Sequence, residues 1–174
     1  MSNEAVVVVL PSRLGWIALL QSGNLLQRLT FGHGDPARAV AGLNFAASID
    51  AEVVELPEAD SLGSRLQAFT AGAHVDFSDV EVDLSDRTPL HRCVIAHCRR
   101  IPCGQTLSYG QLAAQAGAPG AARAVGNIMA ANRVPLVVPC HRVVAASGNS
   151  TGYSAGEGVR TKLRLLEMEA LAVV

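Results

Sequence analysis

Pro139-Cys140-His141-Arg142-Val143 sets a thiol beside an imidazole, behind a rigid proline and the apolar run Val134-Pro135-Leu136-Val137-Val138. A neighbouring imidazole lowers a thiol's pKa and exposes thiolate, the form that attacks carbon, so Cys140 is a candidate nucleophile and His141 its candidate base. Successive side chains of a strand point to opposite faces, so the two can cooperate only across a tight turn or through a bridging water. Pro139 supplies the means of turning. The competing reading is a small buried hydrophobe next to a satisfied core histidine. Four further features bear on the choice. Asn132 carries an amide able to bond the chain leading to Pro139. Arg123 is a long cation near the start of an alanine-rich segment. Tyr153-Ser154 lie within residues 147–158, whose Gly and Ser content is that of a loop able to wall a pocket. Glu169 reads either as a solvated surface acid or as the carboxylate that orients His141.

These residues need elements to hold them, and the second half of the chain supplies a legible series. Thr88-Pro89 opens a helix predicted to run through Arg100, with proline in its first turn and Arg99-Arg100 at its negative end. Ile101-Pro102-Cys103-Gly104 stops it. Ser108 followed by Gln111 is a capping-box pattern, predicting a short helix over Tyr109–Ala116 that ends at Gly117. Pro119-Gly120 turns the chain into a second helix, Ala121–Ala131. Helix, tight turn, helix in a basic segment is the arrangement of a DNA-binding module, against the alternative of an ordinary helical hairpin. Ala121, Ala122, Ala124 and Gly126 are too short to read base edges but allow the backbone to approach a groove closely. A side chain at Arg123 could wedge into the stack and fill the space of an extruded base. Arg160–Ala170 reads as a C-terminal helix.

The first half has a different character. Ala5–Leu10 is a β-branched strand, Pro11–Gly15 a turn, and Trp16–Gln21 with Leu25–Phe31 a hairpin around Ser22-Gly23-Asn24. Pro36–Ala47 and Ser61–Thr70 have helical composition, Ile49–Leu56 is a further strand, and Val75–Asp86 is a strand or extended linker. It contains no repeat and no constellation that suggests chemistry, so it reads as a scaffold.

With 174 residues, 49% of them hydrophobic, the chain can bury a core as one large domain or two small ones. A formal net charge of −1 conceals a division. Residues 1–86 hold four basic against twelve acidic residues, a net of −8, and residues 87–174 hold ten against three, a net of +7. The basic half suits a phosphate backbone, and the split predicts a domain boundary near Asp86-Arg87. No apolar run approaches the roughly 20 residues of a membrane span, and Ala5–Leu10 lacks the basic leader and length of a signal peptide, so the expected location is cytoplasmic. The four cysteines, Cys93, Cys98, Cys103 and Cys140, include no C-x-x-C pair and are expected as free thiols. The five histidines show no zinc-type spacing with them, so neither a metal nor another cofactor is expected.

VPCHRVV (residues 138–144), preceded by SYGQLAAQAG (108–117) and APGAARAVGNIMAAN (118–132) and followed by Tyr153-Ser154 and Leu165-Leu166-x-x-Glu169, resembles the O6-alkylguanine-DNA alkyltransferases, also called methylated-DNA-protein-cysteine methyltransferases. The likeness is dense over about residues 87–170 and sparser before, at Ser12-Arg13-Leu14-Gly15 and Leu66-x-x-Phe69-x-x-Gly72. It implies an α/β plus α chain: an N-terminal ribonuclease H-like α/β domain over 1–86 and a C-terminal winged-helix (helix-turn-helix) domain over 87–174. It implies a monomeric, cofactor-free repair protein whose partner is double-stranded DNA containing O6-alkylguanine. By position, Cys140 would be the alkyl acceptor, His141 its water-mediated base, Glu169 the group polarising that histidine, and Tyr109 the donor to the departing guanine oxygen. Asn132 would brace the segment between recognition helix and active site, and Arg123 would replace the flipped nucleotide. Backbone groups of Cys140, Val143 and Ser154, beside Tyr153, would hold the base. Leu90 and Ile95 stand where the family usually has Phe and Trp, Cys103 where an aromatic is common, and Arg133 where it has proline after the asparagine. The N-terminal cysteines that bind zinc in some relatives are missing.

Three other functions would each require features that differ from this sequence. A non-enzymatic lesion binder of the alkyltransferase-like group would replace Cys140. A helix-turn-helix transcriptional regulator would need base-reading side chains that the alanine-rich helix lacks. A thiol hydrolase would need an oxyanion hole for which no residues are evident.

Overall fold

The run Ala5–Leu10 forms strand β1, because Val7 and Val9 alternate with Val6 and Val8 and so present one wholly buried face. The computed structural model describes residues 5–44, 51–53 and 57–173. Contacts divide the chain into two units, Met1–Asp83 and Leu84–Val174, just ahead of the charge boundary at Asp86.

In the first unit β1 pairs antiparallel with β2 (Trp16–Ser22), in register from Ala5↔Ser22 to Leu10↔Ile17, and β2 pairs antiparallel with β3 (Leu25–His33). Only Gly23 and Asn24 link β2 to β3, and Gly23 takes φ +59°, the feature of a hairpin turn with glycine at its first central position. Helix α1 (Pro36–Gly42), capped where Asp35 accepts from the Arg38 amide at 2.8 Å, covers one sheet face and buries Ala39 and Leu43 against Val7, Val9, Ala18 and Leu20. Two short parallel strands complete the order β4-β1-β2-β3-β5: β4 (Ala51–Val53) beside β1, and β5 (Glu81–Val82) beside β3. Helix α2 (Leu62–Thr70), capped by Ser61, is tied to the end of β1 by Gln67 Nε2 donating to Pro11 O at 2.9 Å.

Two expectations for this unit change. The helix predicted over Pro36–Ala47 ends at Gly42, and residues 45–47 lie outside the described residues, as does most of the strand predicted over Ile49–Leu56. Of Val75–Asp86 only Glu81–Val82 is strand, because its acidic residues do turn chemistry: Asp76 accepts from the Ser78 amide and hydroxyl. Arg65 pins the loop by pairing with Asp79 and stacking 5.4 Å from the Phe77 ring.

The second unit holds α3 (Pro89–Cys98), β6 (Leu107–Ser108), α4 (Tyr109–Gln115), α5 (Ala122–Ala130), a 3-10 turn at Cys140–Arg142, β7 (Val143–Val144) and α6 (Val159–Ala172). Its core packs α3, α4 and α5 on one another and buries Val94, Ile95 and Cys98 of α3, Leu112 and Ala113 of α4, and Val125 and Met129 of α5, while α6, with Leu165 buried, packs against the 3-10 turn. The capping box is formed in both directions: the Gln111 amide donates to Ser108 Oγ at 3.1 Å, and the Ser108 amide donates to Gln111 Oε1 at 2.7 Å. Helix α3 stops at Cys98 rather than Arg100, since the residue before Pro102 disfavours helix and the chain turns through an Ile101 N–Cys98 O bond. Among the described residues no helix is long and apolar enough to cross a membrane.

Candidate active site

Strands β6 and β7 pair in parallel, Leu107 with Val143 and Ser108 with Val144. That short ladder ties the start of α4 to the chain leaving the turn that carries Cys140, His141 and Arg142, and Tyr109, the first residue of α4, shares a cavity wall with Cys140. The turn is entered through a tight reversal in which Leu136 takes φ +73° and Val138 N bonds Val134 O.

Asn132, just past the end of α5, holds both the approach and the thiol. Its Nδ2 donates to Val138 O at 3.0 Å and to Cys140 Sγ at 3.1 Å, and its Oδ1 accepts from the Val134 amide at 3.1 Å. His141 is fully buried, with Nε2 at 2.7 Å from Glu169 Oε1 on α6. Glu169 is only 2% exposed, so of its two readings the solvated acid is excluded. Its carboxylate also takes Arg142 Nε at 2.9 and 3.1 Å, Arg142 Nη2 at 2.8 Å and the Gly104 amide at 3.1 Å. Lys162, about two turns earlier on α6, is buried too, donating from Nζ to Val143 O at 2.6 Å and lying 5.7 Å from the centre of the Tyr109 ring.

Burial dominates the electrostatics. It pushes the Cys140 thiol above its ordinary value, and the Asn132 hydrogen bond, the Lys162 charge and the Tyr153 hydroxyl offset it only in part. The expectation that imidazole leaves Cys140 as a thiolate is thus corrected: in this dry setting the thiol keeps its proton until a base removes it. Burial also pushes His141 down, against the pull of Glu169, so the ring is neutral at neutral pH. Burial alone would raise Glu169, but hydrogen bonds from His141 and Arg142 and their charge hold it at about 2. An ionised carboxylate accepts only, so Nε2 carries the imidazole proton and Nδ1 is the basic nitrogen. Burial and the nearby thiol raise Tyr109, which therefore stays a donor; its hydroxyl donates to Thr151 O at 3.2 Å. The buried Tyr153 hydroxyl makes no well-formed hydrogen bond but lies close enough to Cys140 to couple with its thiol.

Cys140 forms part of the wall of a cavity of about 250 Å³, with Tyr109, Gly126, Met129, Ala130, Gly152, Tyr153 and Ser154 around it. Of the residues singled out in the sequence, Tyr109, Asn132, Cys140, His141, Tyr153, Ser154 and Glu169 therefore converge, and Gly126 opens the cavity on the α5 side. Val143 is set behind it, its carbonyl engaged by Lys162. Arg123 stands exposed near the start of α5, and Ala121, Ala122 and Ala124 are partly exposed there. Ala121 caps α5 with no side-chain acceptor, so the first amides of the helix lack a side-chain cap. Arg133, the departure after Asn132, pairs with Asp86 at 2.8 Å.

Lys162 and Arg142 were not anticipated. A signal existed for the first: Lys162, Leu165 and Glu169 fall at i, i+3 and i+7, one face of α6, so a buried Glu169 brings Lys162 inward with it. Nothing local marks Arg142, whose partners lie 41 and 27 residues away.

The family described as 6-O-methylguanine DNA methyltransferase, DNA binding domain, matches residues 89–171. A methylated-DNA–protein-cysteine methyltransferase of Mycobacterium tuberculosis is 49% identical over 105 residues, 60% of this chain and 61% of that protein. The aligned stretch thus spans about three fifths of the mycobacterial relative's length. The protein of the same name from Salmonella typhimurium is 44% identical over 118 residues, 68% of this chain and 67% of that one. Among solved structures, Mycobacterium tuberculosis OGT in complex with DNA superposes with a TM-score of 0.74 at 34% identity, over 95% of this chain and 93% of the other. By sequence, by fold over nearly the whole chain and by the identity of the residues around its buried cysteine, the chain belongs to the methylated-DNA–protein-cysteine methyltransferase family.

Proposed function

We propose that this protein repairs DNA by transferring the alkyl group of O6-alkylguanine irreversibly to Cys140, once per molecule. The observation that carries the reading is the thiol in the wall of a cavity that opens along the small residues of α5. At about 250 Å³ the cavity is below the roughly 300–1,000 Å³ of pockets for drug-sized ligands, a scale suited to one base. The base arrives flipped from the duplex, with α5 against the groove and Arg123 filling the vacated space. The thiol proton passes through an intervening water to His141 Nδ1, and Glu169 stabilises the imidazolium that results. Sulfur attacks the alkyl carbon in line, the C–O6 bond breaks, and the guanine oxyanion takes a proton from Tyr109, whose hydroxyl must first leave Thr151. Over the whole reaction the thiol proton replaces the alkyl group on guanine. The thioether has no hydrolytic exit.

The same reading assigns the first unit as a ribonuclease H-like scaffold and the second as a winged-helix domain, supported by the helix-turn-helix of α4 and α5 and the β6–β7 ladder. It takes duplex DNA as the partner of a monomer, since every reacting group comes from one chain. Free thiols at Cys93, Cys98, Cys103 and Cys140 suit a reducing cytoplasm. Intact-protein mass after incubation with DNA containing O6-methylguanine tests it: one methyl group per molecule, mapped to Cys140 and missing in Cys140→Ala, is expected. Multiple turnovers, or modification at Cys103, would overturn it.

A further inference from the structure

Arg142 follows the histidine of the reacting pair, yet its guanidinium is turned inward and its side chain is only 10% exposed. Nη1 donates to Ile101 O at 2.6 Å, just beyond the end of α3, while Nε and Nη2 grip the Glu169 carboxylate on α6. One side chain thus ties together the reactive turn, the segment after α3 and the helix that carries the acid. The two Arg142 nitrogens and the Gly104 amide leave Glu169 Oε1 directed at His141 Nε2, and a planar fork fixes the carboxylate plane in a way that a single-point cation cannot.

We propose that Arg142 is a positioning residue for alkyl transfer, orienting the Glu169 carboxylate toward His141 and balancing its charge. The proposal rests on the reading of His141 as the base for Cys140. With His141 neutral in the resting protein, Arg142 is the permanent cation in contact with Glu169. Its charge limits how strongly the carboxylate favours imidazolium and so keeps the imidazole free to accept a proton. The other groups facing this pair are few. Lys162 comes from α6, Cys140 from the turn and Tyr153 from the loop ahead of α6, while Cys103 and, from α3, Cys98 are thiols that burial pushes upward.

The test is the rate of Cys140 alkylation by free O6-benzylguanine as a function of pH, for wild type, Arg142→Lys and Arg142→Gln, together with an NMR titration of the His141 ring in unalkylated protein. Arg142→Lys keeps the charge but loses the fork: the plateau rate should fall by about tenfold or more with the acid limb of the profile unmoved. Arg142→Gln loses both, so the imidazolium is favoured and both the acid limb and the His141 titration should move to higher pH. If Arg142→Gln reacts with an unshifted limb and an unshifted His141 titration, or Arg142→Lys keeps the wild-type plateau, the proposal is overturned and Arg142 serves the fold alone. Should Arg142→Gln not fold, the Arg142→Lys plateau decides by itself. A wild-type protein that takes up no alkyl group would instead refute the proposed function, and the His141 titration would still decide the role of Arg142.

Discussion

Glu169 is a carboxylate closed off among a histidine, an arginine and a backbone amide, and that arrangement sets how the protein meets acid. Burial works against its charge, the two side-chain partners work for it, and the partners win, holding it at about 2 against an ordinary 4.5. A carboxyl depressed by folding contributes stability that is complete above its unfolded value and is lost as pH falls through its folded one. The contribution, roughly 2–4 kcal/mol, should therefore disappear between about pH 4.5 and 2, visible as a falling denaturant midpoint. Glu169→Gln should lack that part of the acid slope and start from a less stable protein, because it leaves Arg142 buried without its anion, a loss of about 3–5 kcal/mol in comparable cases. In the same variant transfer at neutral pH should slow by about 10–100-fold, the scale seen when the partner that orients a metal-bound histidine is removed. A rate and pH profile equal to wild type would return Glu169 to a purely structural role.

Elements hold these residues in position through short-range signals, and those signals were the readable ones. Ser108 both caps α4 and pairs in β6, so the capping box fixes where Tyr109 begins to turn toward the site. Ser108→Ala should cost about 1 kcal/mol in urea unfolding and slow transfer to free O6-benzylguanine, whereas a neutral effect on both would detach the cap from the site. The boundaries of α4 and α5, the hairpin at Gly23 and the cap of α3 were legible because each depends on residues within four positions of one another. What the sequence did not disclose are the long-range pairings: β4 beside β1, β5 beside β3, and β6 beside β7, each a two- or three-residue ladder too short to carry a periodic signal. Arg142 escaped for the related reason that a buried cation contradicts its own hydropathy and is explained only by a distant partner, whereas Lys162 could have been read from the face of α6 that it shares with Glu169. The site's acid and base were legible through a family likeness, while the charge that balances them was not. Arg133, where that likeness expects proline, is tied by its pair with Asp86 to the residues ahead of α3.

At the scale of the whole molecule, the proposed function has two steps that need different parts of the second unit. A net charge of +7 over residues 87–174 suits the phosphate backbone, but extruding a base needs something to replace it in the stack, whereas the chemistry needs only the cavity. On the proposed function, free O6-benzylguanine would reach Cys140 without unstacking anything, whereas guanine in a duplex would first have to be flipped at a cost of a few kcal/mol. Arg123 is exposed and lies outside the cavity wall, so Arg123→Ala should lose most activity on duplex DNA while reacting with the free base nearly as wild type does. Tyr109 is in the wall, with a hydroxyl that burial keeps protonated, so Tyr109→Phe should be slow on both substrates, by about a hundredfold if proton donation has its usual worth. The observable is the ratio of the two rates for each variant, which cancels any shared loss of folded protein. A ratio near wild type for Arg123→Ala, with both rates reduced, would mean that Arg123 supports the fold or general phosphate binding, and the space left by the flipped base would have to be filled by another residue of α5 or by none.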